Sequence, residues 1–123
     1  MDPLDGHVVV LATESDAANR ASRLLRHGVL LAVVTTDGTG LDAVEALVFR
    51  ADPADPATWD RVAPHIEQRV GPIDAALADP GALDAVRDAF EPDMLRRGHG
   101  AIVRLRPSED PVAVLRRRLS RRR

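Results

Sequence analysis

The chain has no cysteine, no tyrosine and no lysine among its 123 residues. The first absence excludes disulfides, thiolate metal sites and thiol chemistry. The other two exclude any mechanism that needs a phenol or an ε-amine. Aromatic residues make up 2%, so aliphatic side chains and alanine must fill the core. No apolar run approaches the ~20 residues needed to span a bilayer. Residues Met1 to Gly6 are acidic and lack the layout of a signal peptide, so the cytoplasm is the expected location.

What is present points to one globular domain. Apolar residues make up 45%, too many for a disordered chain, and the length suits a single core. All 17 basic residues are arginine. Together with abundant Ala, Asp and Pro, this is the composition of a GC-rich genome, such as an actinobacterial one. The formal net charge of −2 hides an asymmetry. Residues 116–123 hold six arginines (Arg116, Arg117, Arg118, Arg121, Arg122 and Arg123) and no acid. The other 115 residues carry 11 arginines against 19 acids, a balance of −8. The expected organisation is a single domain over residues 1–115 and a basic tail over 116–123.

Short apolar runs alternate with helical patterns. Residues 7–13, 29–36, 47–50, 73–78 and 101–105 read as strands, most of them continuously apolar as in a sheet buried on both faces. Between the first two, Ala17, Ala21, Leu24 and Leu25 mark one helical face, with Arg20, Arg23 and Arg26 expected elsewhere. Ser15 or Asp16 can cap this helix. Residues 41–46 allow at most a short helix. Asp55 can cap a second helix with Pro56 at its first position, and Pro64 should kink it. Residues 82–97 form a third helix, with Leu83, Val86, Phe90 and Met94 on one face and a kink at Pro92. Ser108 or Asp110 caps a last helix that runs into the tail. This alternation predicts an α/β, Rossmann-like three-layer fold with a five-stranded parallel sheet in the order 3-2-1-4-5.

Four segments carry a further signal. The second strand ends in Thr36-Asp37. "RADPAD", residues 50–55, follows the third strand. "GPIDAALADPG", residues 71–81, covers the fourth, and "FEPDMLRRGHGAIVRL", residues 90–105, leads into the fifth. In this order they resemble the short-chain dehydrogenase/reductase family, whose members carry an acid after the second strand, D-x-x-D after the third, G-x-I-D-x-L-V-N-N-A-G around the fourth and P-x-M-x-x-x-G-x-G-x-I-V-x-I before the fifth. The resemblance runs from about residue 7 to 106. It implies an NAD(P)-type cofactor held around Thr13, Asp37, Asp52, Asp79 and Gly81, with Asp37 at the ribose and Asp52 at the adenine. It also implies pairing of subunits through the helices beside the fifth strand, where residues 82–97 offer Phe90 and Met94.

The departures from that family decide the functional expectation. Its T-G-x-x-x-G-x-G loop aligns with Thr13-Glu14-Ser15-Asp16-Ala17, shortened by about three residues and without glycine. Amides at a helix start attract phosphate, whereas Glu14 and Asp16 place negative charge there. The catalytic Tyr and Lys are missing, and Ser108 stands near the expected Ser without partners. No catalytic residue is assigned. Each candidate also has a plainer role. Asp37 suits an Asp-Gly turn, Asp52 and Asp55 suit turns and caps, and Glu14 and Asp16 suit helix capping. The four histidines do not cluster, so no metal site is expected.

Three readings follow. The leading one is a non-catalytic domain acting as a binding, partner or regulatory subunit, with a protein partner or as a homo-oligomer, and with no cofactor. The second is a residual NAD(P)-type nucleotide binder, completed by a partner chain. The third is attachment to nucleic acid or another anionic surface through the arginine tail.

Overall fold

The computed structural model describes residues 3–120. The elements follow in the order β1 (Val8–Ala12), α1 (Ala17–Leu25), β2 (Leu30–Thr35), a 3-10 turn (Leu41–Ala43), β3 (Leu47–Arg50), α2 (Pro56–Arg69), β4 (Ala75–Ala78), α3 (Leu83–Arg97), β5 (Ala101–Arg104) and α4 (Pro111–Ser120). All pairings are parallel, and the sheet order is β3-β2-β1-β4-β5. The expected Rossmann-like topology is therefore the observed one.

Side-chain alternation along β1 divides the core into two layers. Val8, Val10 and Ala12 face Trp59, Val62 and Ile66 of α2 and Val86 and Phe90 of α3. Val9 and Leu11 face Ala21 and Leu24 of α1 and Leu115 of α4. The third strand is the outer edge on one side and is only half-buried, and the fifth is the outer edge on the other.

Local chemistry explains the helix boundaries. The Asp55 carboxylate accepts a hydrogen bond of 3.0 Å from the Ala57 amide, with Pro56 opening α2. Asp110, not Ser108, caps α4 by accepting from the Val112 amide at 3.1 Å. Helices α2 and α3 continue through Pro64 and Pro92. At the start of α1 the expected cap is absent. Asp16 is left-handed (φ 52°) and its side chain makes no hydrogen bond to the helix backbone. Its carboxylate instead accepts from the Asn19 side chain at 3.1 Å.

Two further expectations are corrected. Phe90 and Met94 do not form an outer face for self-association, because both are buried against the sheet. Phe90 meets Trp59 edge-to-face with ring centroids 5.5 Å apart. Met94 lies so close over Gly100 that a Cβ there would stand 2.4 Å from Met94 Cγ, which explains the glycine. Of the large apolar residues on α3, Leu95 is the one that is exposed. Arg20, expected on the polar side of α1, is also buried.

Arg116, Arg117 and Arg118 lie on α4, which continues to Ser120 with Leu119 half-buried against the core. Arg117 is 3.8 Å from Glu109, and Arg116 is 3.1 Å from the His27 ring. Arg121, Arg122 and Arg123 lie outside the described residues. Among the described residues no helix is long and apolar enough to cross a membrane.

The packing of α3 yields a direct comparison. Phe90→Ala should lower the unfolding free energy by about 3 kcal/mol, the usual cost of emptying an aromatic site. Leu95→Ala should change it by less than about 0.5 kcal/mol. Urea denaturation measures both, and equal effects would contradict the burial of Phe90.

Candidate functional site

The first and fourth strands are neighbours, but the chain leaves them in opposite directions, toward β2 and toward β5. Their C-terminal ends thus frame the switch point at which open α/β sheets bind ligands. Thr13 follows β1 and Asp79 follows β4, and both are tied into the sheet. The Asp79 amide donates to the Ala12 carbonyl at 3.0 Å and the Thr13 amide to the Val34 carbonyl at 3.3 Å.

The two side chains meet. The Thr13 hydroxyl donates to Asp79 Oδ1 at 2.7 Å and accepts from the Ser15 amide at 3.0 Å. Asp79 Oδ2 accepts from the Glu14 amide at 2.8 Å. Arg20 completes this cluster. It is 3% exposed, and its Nη1 donates to the Thr13 hydroxyl at 3.1 Å and lies 3.5 Å from Asp79 Oδ1. Its Nη2 donates to the carbonyls of Arg106 at 2.6 Å and Pro107 at 2.7 Å, in the loop from β5 to α4. One guanidinium therefore joins the ends of β1 and β4 to the loop after β5. The planar fork of arginine can bond in several directions at once, as an ammonium cannot.

A sequence signal for Arg20 did exist. Ala17, Arg20, Ala21 and Leu24 follow the i, i+3, i+4, i+7 spacing of a buried helical stripe, and all four are buried. Charge argues against burial unless the group is paired, and the partners come from distant segments.

Glu14 works across the next strand pair. Its Oε1 accepts from the Thr35 hydroxyl and the Thr36 amide, each at 2.8 Å. Its other oxygen accepts from the Thr36 hydroxyl. It therefore joins the turn after β1 to the end of β2 and caps no helix. Burial opposes its charge, but the bonds from Thr36 and Thr35 outweigh both that effect and repulsion from Asp37, so the carboxyl is held below the usual glutamate range.

The remaining expected residues are spread along the same sheet edge. The Asp37 carboxylate is used by its own turn, accepting from the Thr39 amide at 3.0 Å and hydroxyl at 2.5 Å. The Thr39 hydroxyl is the main reason why Asp37 is held below the usual aspartate range. Asp52 accepts from the Ala54 amide at 2.9 Å. Gly81 precedes α3 in open space, where a Cβ would meet no atom within 4 Å. Thr13 and Asp79 are thus brought together, Gly81 lies in the turn that Asp79 opens, closed by the Ala82 amide donating to the Asp79 carbonyl at 2.9 Å, and Asp37 and Asp52 stand in turns of their own. Among the described residues no group of three or more His, Asp or Glu could hold a metal ion.

No family model matches the chain, and no curated protein matches it. Solved structures do. A short-chain type dehydrogenase/reductase from Mycobacterium marinum superposes with a TM-score of 0.67 at 17% identity, over 80% of this chain and 55% of its own. The 2-keto-3-deoxy-D-gluconate dehydrogenase from Streptococcus agalactiae gives 0.66 at 18%, over 82% and 51%. Levodione reductase gives 0.65 at 19%, over 82% and 54%. The fold is thus like that of short-chain dehydrogenases/reductases. The chain spans about half the length of these structures.

Two outcomes are expected. Arg20→Ala should lower the unfolding free energy by about 3 kcal/mol, since it strands a carboxylate and two carbonyls. Arg20→Lys should recover only part of this in chemical denaturation. Full recovery by Lys would mean that the fork geometry is irrelevant. The second outcome concerns pH. A carboxyl whose folded pKa is depressed adds stability above its unfolded value and loses it as pH falls through the folded one. Glu14, Asp37 and Asp93, the last paired with Arg96 and Arg97, are of this kind. Stability should therefore fall as the pH drops below about 4.5. Glu14→Gln should flatten that decline, and an unchanged acid limb in thermal melts would rule out its share.

Proposed function

We propose that this chain is a non-catalytic binding domain, a partner or regulatory subunit built on a dehydrogenase-like scaffold. The observation that carries this reading is the occupied switch point. Where a nucleotide phosphate would need free amides and space, Arg20, Thr13 and Asp79 satisfy one another. The Glu14 amide is spent on Asp79, and its carboxylate adds a negative charge to the same edge. A pyrophosphate would have to displace an internal ion pair and approach acids. These 123 residues hold no Tyr and no Lys, so they do not themselves supply the acid and the pKa-lowering amine on which the chemistry of such enzymes depends.

A second reading is favoured by one specific feature. Asp37 and Asp52 stand after β2 and β3 on the ligand edge of a fold whose neighbours include dehydrogenases and reductases. This would make the chain a residual NAD(P)-type binder, with its active site completed by another chain. Titration calorimetry with NAD, NADP, ATP and FAD separates the two. The binding-domain reading expects no heat at micromolar ligand. Heat that disappears in Asp37→Ala would establish the second reading in its place.

A further inference from the structure

Beyond the switch point, the outer edge of the sheet at β5 combines outward-facing main-chain groups, a groove and exposed cations. The amides of Ala101 and Leu105 donate to the carbonyls of Asp74 and Ala78 on the β4 side. In a parallel ladder successive residues point to opposite sides, so the N–H and C=O groups of Ile102 and Arg104 face outward. Among the described residues β5 pairs with β4 alone. A groove of about 380 Å³ lies over this edge, walled by α3 and by Arg118 of α4. Leu95 on the α3 wall is 75% exposed.

Charge identifies the occupant. Arg87 and Arg118 line the groove, and Arg104 leaves the strand itself. None of the three has a hydrogen-bond or ionic partner among the described residues. Glu91 is the one carboxylate in the lining. Natural sheets use such cations to keep bare edges from pairing with copies of themselves. Two copies joined through β5 about a two-fold axis would bring like guanidiniums together. The same cations favour an extended segment of opposite charge.

We infer that the β5 edge accepts an acidic, extended segment of a partner protein as a sixth strand. The outward groups of Ile102 and Arg104 would supply the main-chain bonds, and Arg87, Arg104 and Arg118 the charge selection. This is the strand-addition mode of recognition. It rests on the binding-domain reading and deepens it by giving it a surface and a partner chemistry.

The test uses the full chain and a labelled peptide of alternating Glu and Val, read by fluorescence anisotropy at low salt. A Lys/Val peptide and a Glu/Val peptide with alternate amides N-methylated are the controls. The acidic peptide should bind about tenfold more tightly than either control. Reversal of charge in Arg87→Glu with Arg118→Glu should invert the preference for acidic over basic peptide. Arg104→Pro should abolish binding that Arg104→Ala only weakens, because proline removes the outward N–H and spares the bonds to β4. The N-methylated peptide asks the same question without altering the protein, should Arg104→Pro fail to fold. Equal binding of the methylated peptide would reduce the site to a charge contact and overturn strand addition. No saturable binding of the acidic peptide would also overturn it, as would a dimer in light scattering that Arg104→Pro dissolves. Calorimetric silence toward nucleotides is unaffected by any of these results. Failure here therefore leaves the binding-domain reading standing, and nucleotide heat would remove that reading without touching this edge.

Discussion

The structure depends on one buried guanidinium. Arg20 reaches from α1 to the end of β1, the vicinity of β4 and the loop after β5. An unpaired buried charge is very costly, so its partners must be held in place for the domain to fold at all. This requirement couples segments far apart in sequence, with Arg106 standing 86 residues beyond Arg20. It also determines what the switch point can do. There Arg20, Thr13 and Asp79 are bonded to one another.

Glu14 extends the same principle. A glycine-rich turn would leave its amides free and its backbone close to a ligand. Here the turn is short, its Glu14 amide is spent on Asp79, and the Glu14 carboxylate closes onto Thr35 and Thr36. Polar groups that could have met an external phosphate are instead used to join β1 to β2 and β4. The fold is like that of short-chain dehydrogenases/reductases, while the polar groups at this edge of the sheet are bonded to one another. The exposed, unpartnered arginines lie elsewhere, at the β5 edge.

The elements set by local rules were legible. Asp55 with Pro56 marks the start of α2, and Asp110 with Pro111 the start of α4. Continuous Val, Leu and Ala runs mark the buried strands, and alternation with helices gives the sheet order. Local rules mislead where a distant partner overrules a local preference. Asp16 precedes α1 as a cap residue should, yet its backbone is left-handed and its carboxylate turns to Asn19. Phe90 and Met94 are legible as an apolar face, but an apolar face does not say whether the sheet or a second subunit covers it. Thr13 and Asp79, named from the family resemblance, are bonded to each other across the sheet.

The sequence by itself determined the class of fold and the excluded chemistry. Hydrophobic periodicity is a local property that survives without knowledge of contacts, and a residue type that is absent cannot act. Tertiary structure alone decided which polar groups remain available. Thr13 and Asp79 lie 66 residues apart, across the β1–β4 pair, and nothing local tells a carboxylate awaiting a ligand from one already holding a guanidinium. That distinction depends on distance in space, which the parallel sheet creates by placing the ends of β1, β4 and β5 side by side.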